Sequence, residues 1–352
     1  MSAPIRFPPL ADRLPVRGAQ PRILIVRLSA LGDIVFATSL LQTLRDRYPQ
    51  AHIAWLAQSG FANVMEGDPR LDQMLTVQKS ELSSPLALIR LRRRLQQQAF
   101  DWVIDAQGLL KSRLVACLAT GATRIGFKSK EPGGFLMRHV LPKGGDVTLI
   151  SSEYRFLAEQ LTGLPSIAPQ LPVPKALQER VAEKMKQLGL KPGFIALCPF
   201  TTRPQKHWRE TYWPELIRLL QQPGRTFVMF GGPADREAAQ RIQQQSPSGV
   251  LNLTGETALN DLRGWLSHAG LVIGVDTGLT HIGIAVRRPT LALFGSTCPY
   301  TRGADSPLTV MYDGLPCAPC KRNPTCGGDW TCMKQLTPER IAAKALKLLM
   351  PK

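Results

Sequence analysis

Short, almost wholly apolar runs alternate along the chain with longer stretches whose apolar residues recur at helical spacing. Ile23-Leu24-Ile25-Val26 is a run of the first kind, and residues 33–47 form a stretch of the second. Apolar runs without polar alternation predict strands buried on both faces, and the 3.6-residue period predicts amphipathic helices. The first half thus predicts strands at Arg22–Leu28, His52–Ala57, Met74–Val77 and Trp102–Asp105. Its helices are expected at Asp33–Arg47, Leu86–Gln97, Gly108–Ala119 and Tyr154–Leu161. After a charged helix at Ala176–Leu188 the alternation restarts, with strands at Phe194–Leu197, Thr226–Phe230, Leu271–Gly274 and Thr290–Phe294. Between and after them come helices at Trp213–Gln221, Ala234–Gln245, Leu259–His268, a short one from Thr277, and Pro338–Leu349. Such alternation implies an α/β protein with parallel sheets and crossover helices.

Residues 163–174 hold Pro165, Pro169, Pro172 and Pro174, a density that fits an interdomain linker. The expected organisation is a flexible basic tail over 1–20, an N-terminal domain over 21–163, a linker over 164–174 and a C-terminal domain over 175–352. With 352 residues and 44% apolar content the chain can fill two cores, which excludes a disordered protein. No apolar run reaches the roughly 18 residues of a membrane span. Residues 1–20 lack the apolar stretch of a signal peptide, so the expected compartment is the cytoplasm.

Charge narrows the partners. The net charge is +18, and residues 86–143 contain 11 Lys and Arg against 3 Asp and Glu. An excess of this size implies an anionic partner, such as a nucleic acid, a membrane lipid or an acidic substrate. No zinc finger, helix-turn-helix or aromatic RNP-type motif is present, which argues against nucleic acid. The first strand is not followed by G-x-G-x-x-G, and no G-x-x-x-x-G-K-[ST] occurs. That argues against a dinucleotide dehydrogenase and a P-loop phosphotransferase.

Candidate chemistry gathers where apolar strands end in turns, because open parallel sheets bind ligands at the carboxyl ends of their strands. Asp33 follows the first strand in Ser29-Ala30-Leu31-Gly32-Asp33. It reads either as a helix-start carboxylate favoured by the macrodipole or as a general base. The loop from Pro199 to Trp208 follows the strand at Phe194–Leu197; Thr201 and Thr202 offer hydroxyls, and Lys206 offers a point charge suited to a diphosphate. Asp276-Thr277-Gly278-Leu279-Thr280-His281 opens a helix whose free N–H groups attract anions. Asp235 and Glu237, after Gly231-Gly232-Pro233, could accept hydrogen bonds from ribose hydroxyls.

Taken together, these motifs and the segment Asp105-Ala106-Gln107-Gly108-Leu109-Leu110-Lys111-Ser112 resemble the ADP-heptose:lipopolysaccharide heptosyltransferases of glycosyltransferase family 9. The resemblance spreads over Arg22–Leu349. It implies the GT-B fold, two Rossmann-like domains facing a central cleft, and inverting transfer of heptose from ADP-heptose to Kdo of the lipopolysaccharide inner core. It makes Asp33 the general base and Lys206 the group that holds the diphosphate with Thr201 and Thr202. Thr277, Gly278, Leu279 and Thr280 would line the phosphate turn, with Asp276 and His281 nearby, and Asp235 or Glu237 would meet the ribose. Gly32, Gln107, Lys111, Arg92, Arg93, Arg94 and Lys128 would meet the acceptor, Kdo-lipid A or a related anion, at the cytoplasmic face of the inner membrane. No cofactor is implied for catalysis.

Within the family, Asp105–Ser112 resembles the first heptosyltransferase of the inner core. The cysteine-rich stretch 317–332, followed by Met333, is more similar to the second enzyme and to protein-modifying heptosyltransferases. Cys317, Cys320, Cys326 and Cys332 have metal-like spacing at the first pair. They read as ligands of a structural zinc or iron, or as four reduced, partly buried thiols. A non-catalytic sugar-nucleotide binder is the rival from outside the enzyme class.

Overall fold

The computed structural model describes residues 9–350, which form two compact units. Val147 and the residues before it, with Ser151–Pro169, make the first; Thr148–Ile150 and Gln170 onward make the second. The chain thus dips into the second unit at Thr148–Ile150, where the Ile150 N–H donates to the Arg302 carbonyl.

In the first unit the order is β1 (Arg22–Val26), α1 (Leu31–Arg47), β2 (His52–Gln58), α2 (Ser59–Ala62), β3 (Gln73–Val77), α3 (Pro85–Gln97), β4 (Trp102–Asp105), α4 (Leu110–Cys117), β5 (Thr123–Phe127), β6 (His139–Leu141) and α5 (Ser152–Thr162). The six strands are parallel in the order β3-β2-β1-β4-β5-β6. Ile23, Leu24, Ile25 and Val26 are fully buried, so both faces of β1 are covered. That is why its sequence is an unbroken apolar run.

The second unit runs α6 (Lys175–Gln187), β7 (Ile195–Cys198), α7 (Tyr212–Leu220), β8 (Phe227–Met229), α8 (Arg236–Gln245), β9 (Val250–Asn252), α9 (Leu262–Ser267), β10 (Leu271–Val275), α10 (Gly278–Ala285), β11 (Thr290–Leu293), β12 (Leu308–Met311), α11 (Thr331–Lys334) and α12 (Pro338–Leu349). Its sheet order is β12-β11-β10-β7-β8-β9, again all parallel. Ile195, Leu197, Phe227, Met229, Ile273 and Leu293 face one core with α7, α8 and α12. Alternate residues of the same strands point to the opposite face, as the pleat requires. On that side α10 comes close enough that Gly283 lies against Val272.

Both strand orders are those of the doubly wound Rossmann sheet, which reverses direction once. The reversal lies between β1 and β4 in the first unit and between β7 and β10 in the second. At such a point the crossovers depart to opposite faces and leave a crevice at the strands' carboxyl ends.

The expected flexible tail needs correction. Residues 1–8 lie outside the described residues, but from Pro9 onward the segment is docked. Leu10, Ala11 and Leu14 are buried, Pro15 accepts a hydrogen bond from Trp102 Nε1 at 3.0 Å, and Arg17 Nε meets Asp101 at 2.8 Å. Its arginines and prolines suggest a solvated tail, but its few apolar side chains are enough to anchor it.

One backbone contact is tight enough to test the packing. A Cβ at Gly274 in β10 would fall 2.2 Å from Thr280 Oγ1 and 2.7 Å from Cys198 Cβ. Overpacking of this kind costs about 1–3 kcal/mol. Gly274→Ala should therefore lower the calorimetric Tm by roughly 2–10 °C; an unchanged Tm would contradict the packing.

Candidate active site

Each unit gathers candidate residues at its own reversal point. In the second unit, the turns after β7 and β10 meet in a single network. Lys206 Nζ lies 2.6 Å from Asp276 Oδ2, with both side chains largely buried. Asp276 Oδ1 faces His281 Nε2 at 3.3 Å, and the other ring nitrogen of His281 lies 2.9 Å from the Tyr300 hydroxyl. Thr297 Oγ1 donates to Asp276 Oδ2. The turns are stitched again by Thr201 Oγ1, which donates to the Asp276 carbonyl at 3.2 Å, and within the turn after β7 His207 Nε2 lies 2.8 Å from the Thr201 carbonyl. Burial alone would raise the pKa of Asp276; the hydrogen bonds and charges of His281 and Lys206 outweigh it and hold the carboxyl far below the usual range.

This arrangement anchors a cation. Lys206 is pinned by a carboxylate that is itself braced from behind. The first turn of α10 adds main-chain donors, with Thr277 in extended conformation just before it and Gly278 and Leu279 half-buried. A braced ammonium beside a helix start suits an anionic ligand such as a diphosphate.

The other expected donor residues divide. Thr202 and Glu237 are exposed at the same sheet end. Asp235 is half-buried, and its Oδ2 accepts from the Gly232 N–H at 2.8 Å, so that oxygen is spent on the short 3-10 turn, Pro233–Asp235, that precedes α8. Thr280 is corrected from lining residue to internal brace: it is fully buried and its hydroxyl donates to the Val275 carbonyl at 2.7 Å.

In the first unit, Asp33 stands in the first turn of α1, with its side chain 46% exposed. Oδ2 accepts from the Ala30 N–H at 3.3 Å and pairs with Arg27 Nη2 at 2.5 Å. Arg27 is buried, lies 5.7 Å from the Tyr154 ring centroid and donates to the Ala106 carbonyl at 3.3 Å. Burial works against its charge, but Tyr154, Asp33 and Asp105 more than offset this, leaving the Arg27 pKa raised. The carboxylate is therefore both a helix-start group and an accessible, oriented one. The two readings of Asp33 are compatible.

Gln107 Oε1 accepts from the Leu28 N–H at 2.8 Å, tying the turn after β4 to the turn after β1. Asp105 is buried beneath it and accepts from the Gln107 and Gly108 N–H groups; burial outweighs these bonds and raises its pKa. Gly32 lies in the first turn of α1, Lys111 is exposed on α4, and Lys128 is exposed just after β5. Arg92, Arg93 and Arg94 are exposed in the second half of α3, not in the strand-end turns. Arg94 reaches back to the Thr76 carbonyl of edge strand β3.

Both readings of the four cysteines stand: Cys332 lies within electrostatic reach of Cys317, Cys320 and Cys326. Among the described residues no three Cys, His, Asp or Glu side chains are grouped to hold an ion. Cys317 is exposed, whereas Cys332 is buried with Met333 against Gly295 in the core under α12. The stretch is held by protein contacts: Gln205 Nε2 donates to the Lys321 carbonyl at 2.9 Å, and the Lys321 N–H to the Ser296 carbonyl at 2.8 Å.

Sequence reading missed Arg27, Thr297 and Tyr300. Arg27 carried a signal, a basic residue directly after an apolar strand. Thr297 and Tyr300 carried none, since only the fold brings residues after β11 to those after β10.

The glycosyltransferase family 9 (heptosyltransferase) model matches residues 88–330. Lipopolysaccharide heptosyltransferase 1 of Pseudomonas aeruginosa is 26% identical over 94% of this chain and 98% of its own length. Lipooligosaccharide heptosyltransferase 2 of Haemophilus influenzae is 27% identical over 93% of this chain and 99% of its own. Among solved structures, E. coli heptosyltransferase WaaC with ADP-2-deoxy-2-fluoro heptose superposes with a TM-score of 0.70 at 25% identity, covering 93% of this chain and 98% of that one. The two-sheet α/β architecture is thus of the GT-B type.

The pair at the centre of the second unit's network can be tested by stability. Removing one partner of a buried ion pair costs roughly 3–5 kcal/mol, less where water reaches the other partner. Asp276→Asn should destabilise the protein at neutral pH. Because the folded pKa of Asp276 is depressed, its contribution is complete above the unfolded value of about 3.9 and is lost as pH falls below it. Urea unfolding should show the wild-type advantage shrinking below about pH 4; an advantage independent of pH would contradict the pairing.

Proposed function

The chain belongs to glycosyltransferase family 9, the heptosyltransferases, and from that premise we propose that it moves heptose from ADP-heptose to a Kdo residue of the lipopolysaccharide inner core. The braced Lys206 beside the start of α10 is the observation that carries the reading. The second unit takes the donor. Lys206 and the main-chain donors of Gly278 and Leu279 receive the diphosphate; Thr201, Thr202 and Thr277 line it, and Glu237 meets the ribose. Asp276 and His281 act behind Lys206, as positioning residues.

The first unit takes the acceptor. Asp33 accepts the proton of the acceptor hydroxyl as its oxygen attacks the anomeric carbon. The bond from that carbon to the diphosphate oxygen breaks, its electron pair leaves with ADP, and the configuration inverts. Charge growing on the departing diphosphate is met by Lys206 and the α10 amides, donors already oriented before the reaction. The basic surface of the first unit, with Lys111, Lys128 and Arg92–Arg94, attracts an anionic acceptor at the cytoplasmic face of the inner membrane.

A second reading, transfer to an acceptor that already carries heptose, is favoured by the comparable identity to a heptosyltransferase 2. Transfer assays with ADP-heptose separate the two. Product from Kdo-lipid A is expected; product from heptosyl-Kdo-lipid A alone would shift the assignment to the second. Donor binding without transfer to either would leave a sugar-nucleotide binder.

Two substitutions test the roles. Asp33→Asn should lower turnover by roughly 10²–10⁴-fold with donor affinity little changed; near-normal turnover would remove Asp33 from the chemistry. Lys206→Ala should weaken ADP binding by about 1.5–3 kcal/mol in calorimetry. Unchanged ADP affinity would show that the diphosphate sits elsewhere.

A further inference from the structure

The first unit exposes large apolar side chains beside the carboxyl ends of β4 and β5. Phe135 is 87% exposed and Leu114 52%, and Leu109 and Leu110 are also open to solvent. Leu110 and Leu114 stand one turn apart on α4, and so share a face. The loop that follows β5 is fastened to that helix. The Leu110 N–H donates to Glu131 at 3.0 Å, and Arg113 Nη1 donates to the Glu131 and Pro132 carbonyls at 2.9 and 2.7 Å. Leu110 also lies directly against Gly133, which takes a left-handed φ of 95° and starts the short 3-10 turn that presents Phe135. A Phe held outward by a braced loop, next to a leucine face, forms a protruding apolar rim. Soluble surfaces seldom gather such side chains without a partner.

Charge selects the partner. Exposed Lys111, Lys128 and Lys130 flank the rim, and Glu131 is the acidic residue among them. Apolar tips among lysines are the composition that enters the boundary between headgroups and acyl chains of an anionic bilayer. The rim lies at the same end of the sheet as Gln107 and the Asp33 turn. We infer that the Leu109–Leu114 face and Phe135 insert into an anionic lipid surface and seat the first unit where a lipid-borne acceptor hydroxyl emerges. This rests on the proposed lipid acceptor and adds the surface that reaches it.

Flotation with phosphatidylcholine vesicles, with and without phosphatidylglycerol, tests it on the full chain. The wild type should float with the anionic vesicles and be released by salt. Leu114→Ser with Phe135→Ser should weaken that partition about tenfold or more. Both positions are exposed, and an unchanged Tm checks that the variant is folded. Transfer to vesicle-borne acceptor should fall with the partition, while transfer to a deacylated, water-soluble acceptor stays at the wild-type rate. No flotation of the wild type, or equal flotation of the variant, would overturn the inference. So would an equal loss on the deacylated acceptor, or a wild-type dimer that the substitutions dissociate. Anionic flotation with no transfer to either acceptor would support the docking surface and overturn the Kdo reading instead.

Discussion

The ion pair between Lys206 and Asp276 is the constraint on which the candidate site of the second unit depends. The two residues are 70 positions apart and meet at 2.6 Å because β7 and β10 are neighbours at the sheet's reversal point. A lysine alone would be a mobile point charge on four methylenes. Here it leans on a carboxylate fixed from behind by His281 and beside it by Thr297, and His281 is in turn met by Tyr300. The cation is placed before any ligand arrives, so in the proposed transfer little reorganisation is left for the moment when charge moves onto the leaving group.

The first unit repeats this logic with the charges exchanged. Asp33 is the accessible partner and Arg27 the buried brace, fixed by the Ala106 carbonyl and the Tyr154 ring. Gln107 binds the two turns of the reversal point together, as Thr201 does in the second unit. In each case a buried group holds a more accessible one of opposite sign at the carboxyl end of a central strand.

The central elements were legible because burial on both faces writes itself as unbroken apolar runs; β1, β4, β7 and β10 all show it. Edge strand β3 was also read, as Met74–Val77, but β5, β9 and β12 were not. β5 contains Arg124 and Gly126, β9 ends in Asn252, and β9 and β12 are only half-buried, so none reads as an apolar run. In the site, Asp33, Lys206 and the 276–281 turn were visible as polar residues placed after strands. Their division of labour was not. Thr280 and Asp235 look like ligand donors in sequence, yet both bond locally to backbone. Short polar side chains at helix starts commonly do so. The four cysteines show a related limit: their spacing says nothing of burial, and Cys332 belongs to the core.

A double-mutant cycle on ADP affinity, using Lys206→Ala, Asp276→Asn and the pair, tests most directly whether the carboxylate acts through the lysine. The account predicts that Asp276→Asn weakens ADP binding even though a negative charge has been removed near an anion, and that the double variant binds no worse than Lys206→Ala alone. Strictly additive losses, or tighter ADP binding by Asp276→Asn, would mean that the two residues act independently and that the braced cation is not what receives the diphosphate.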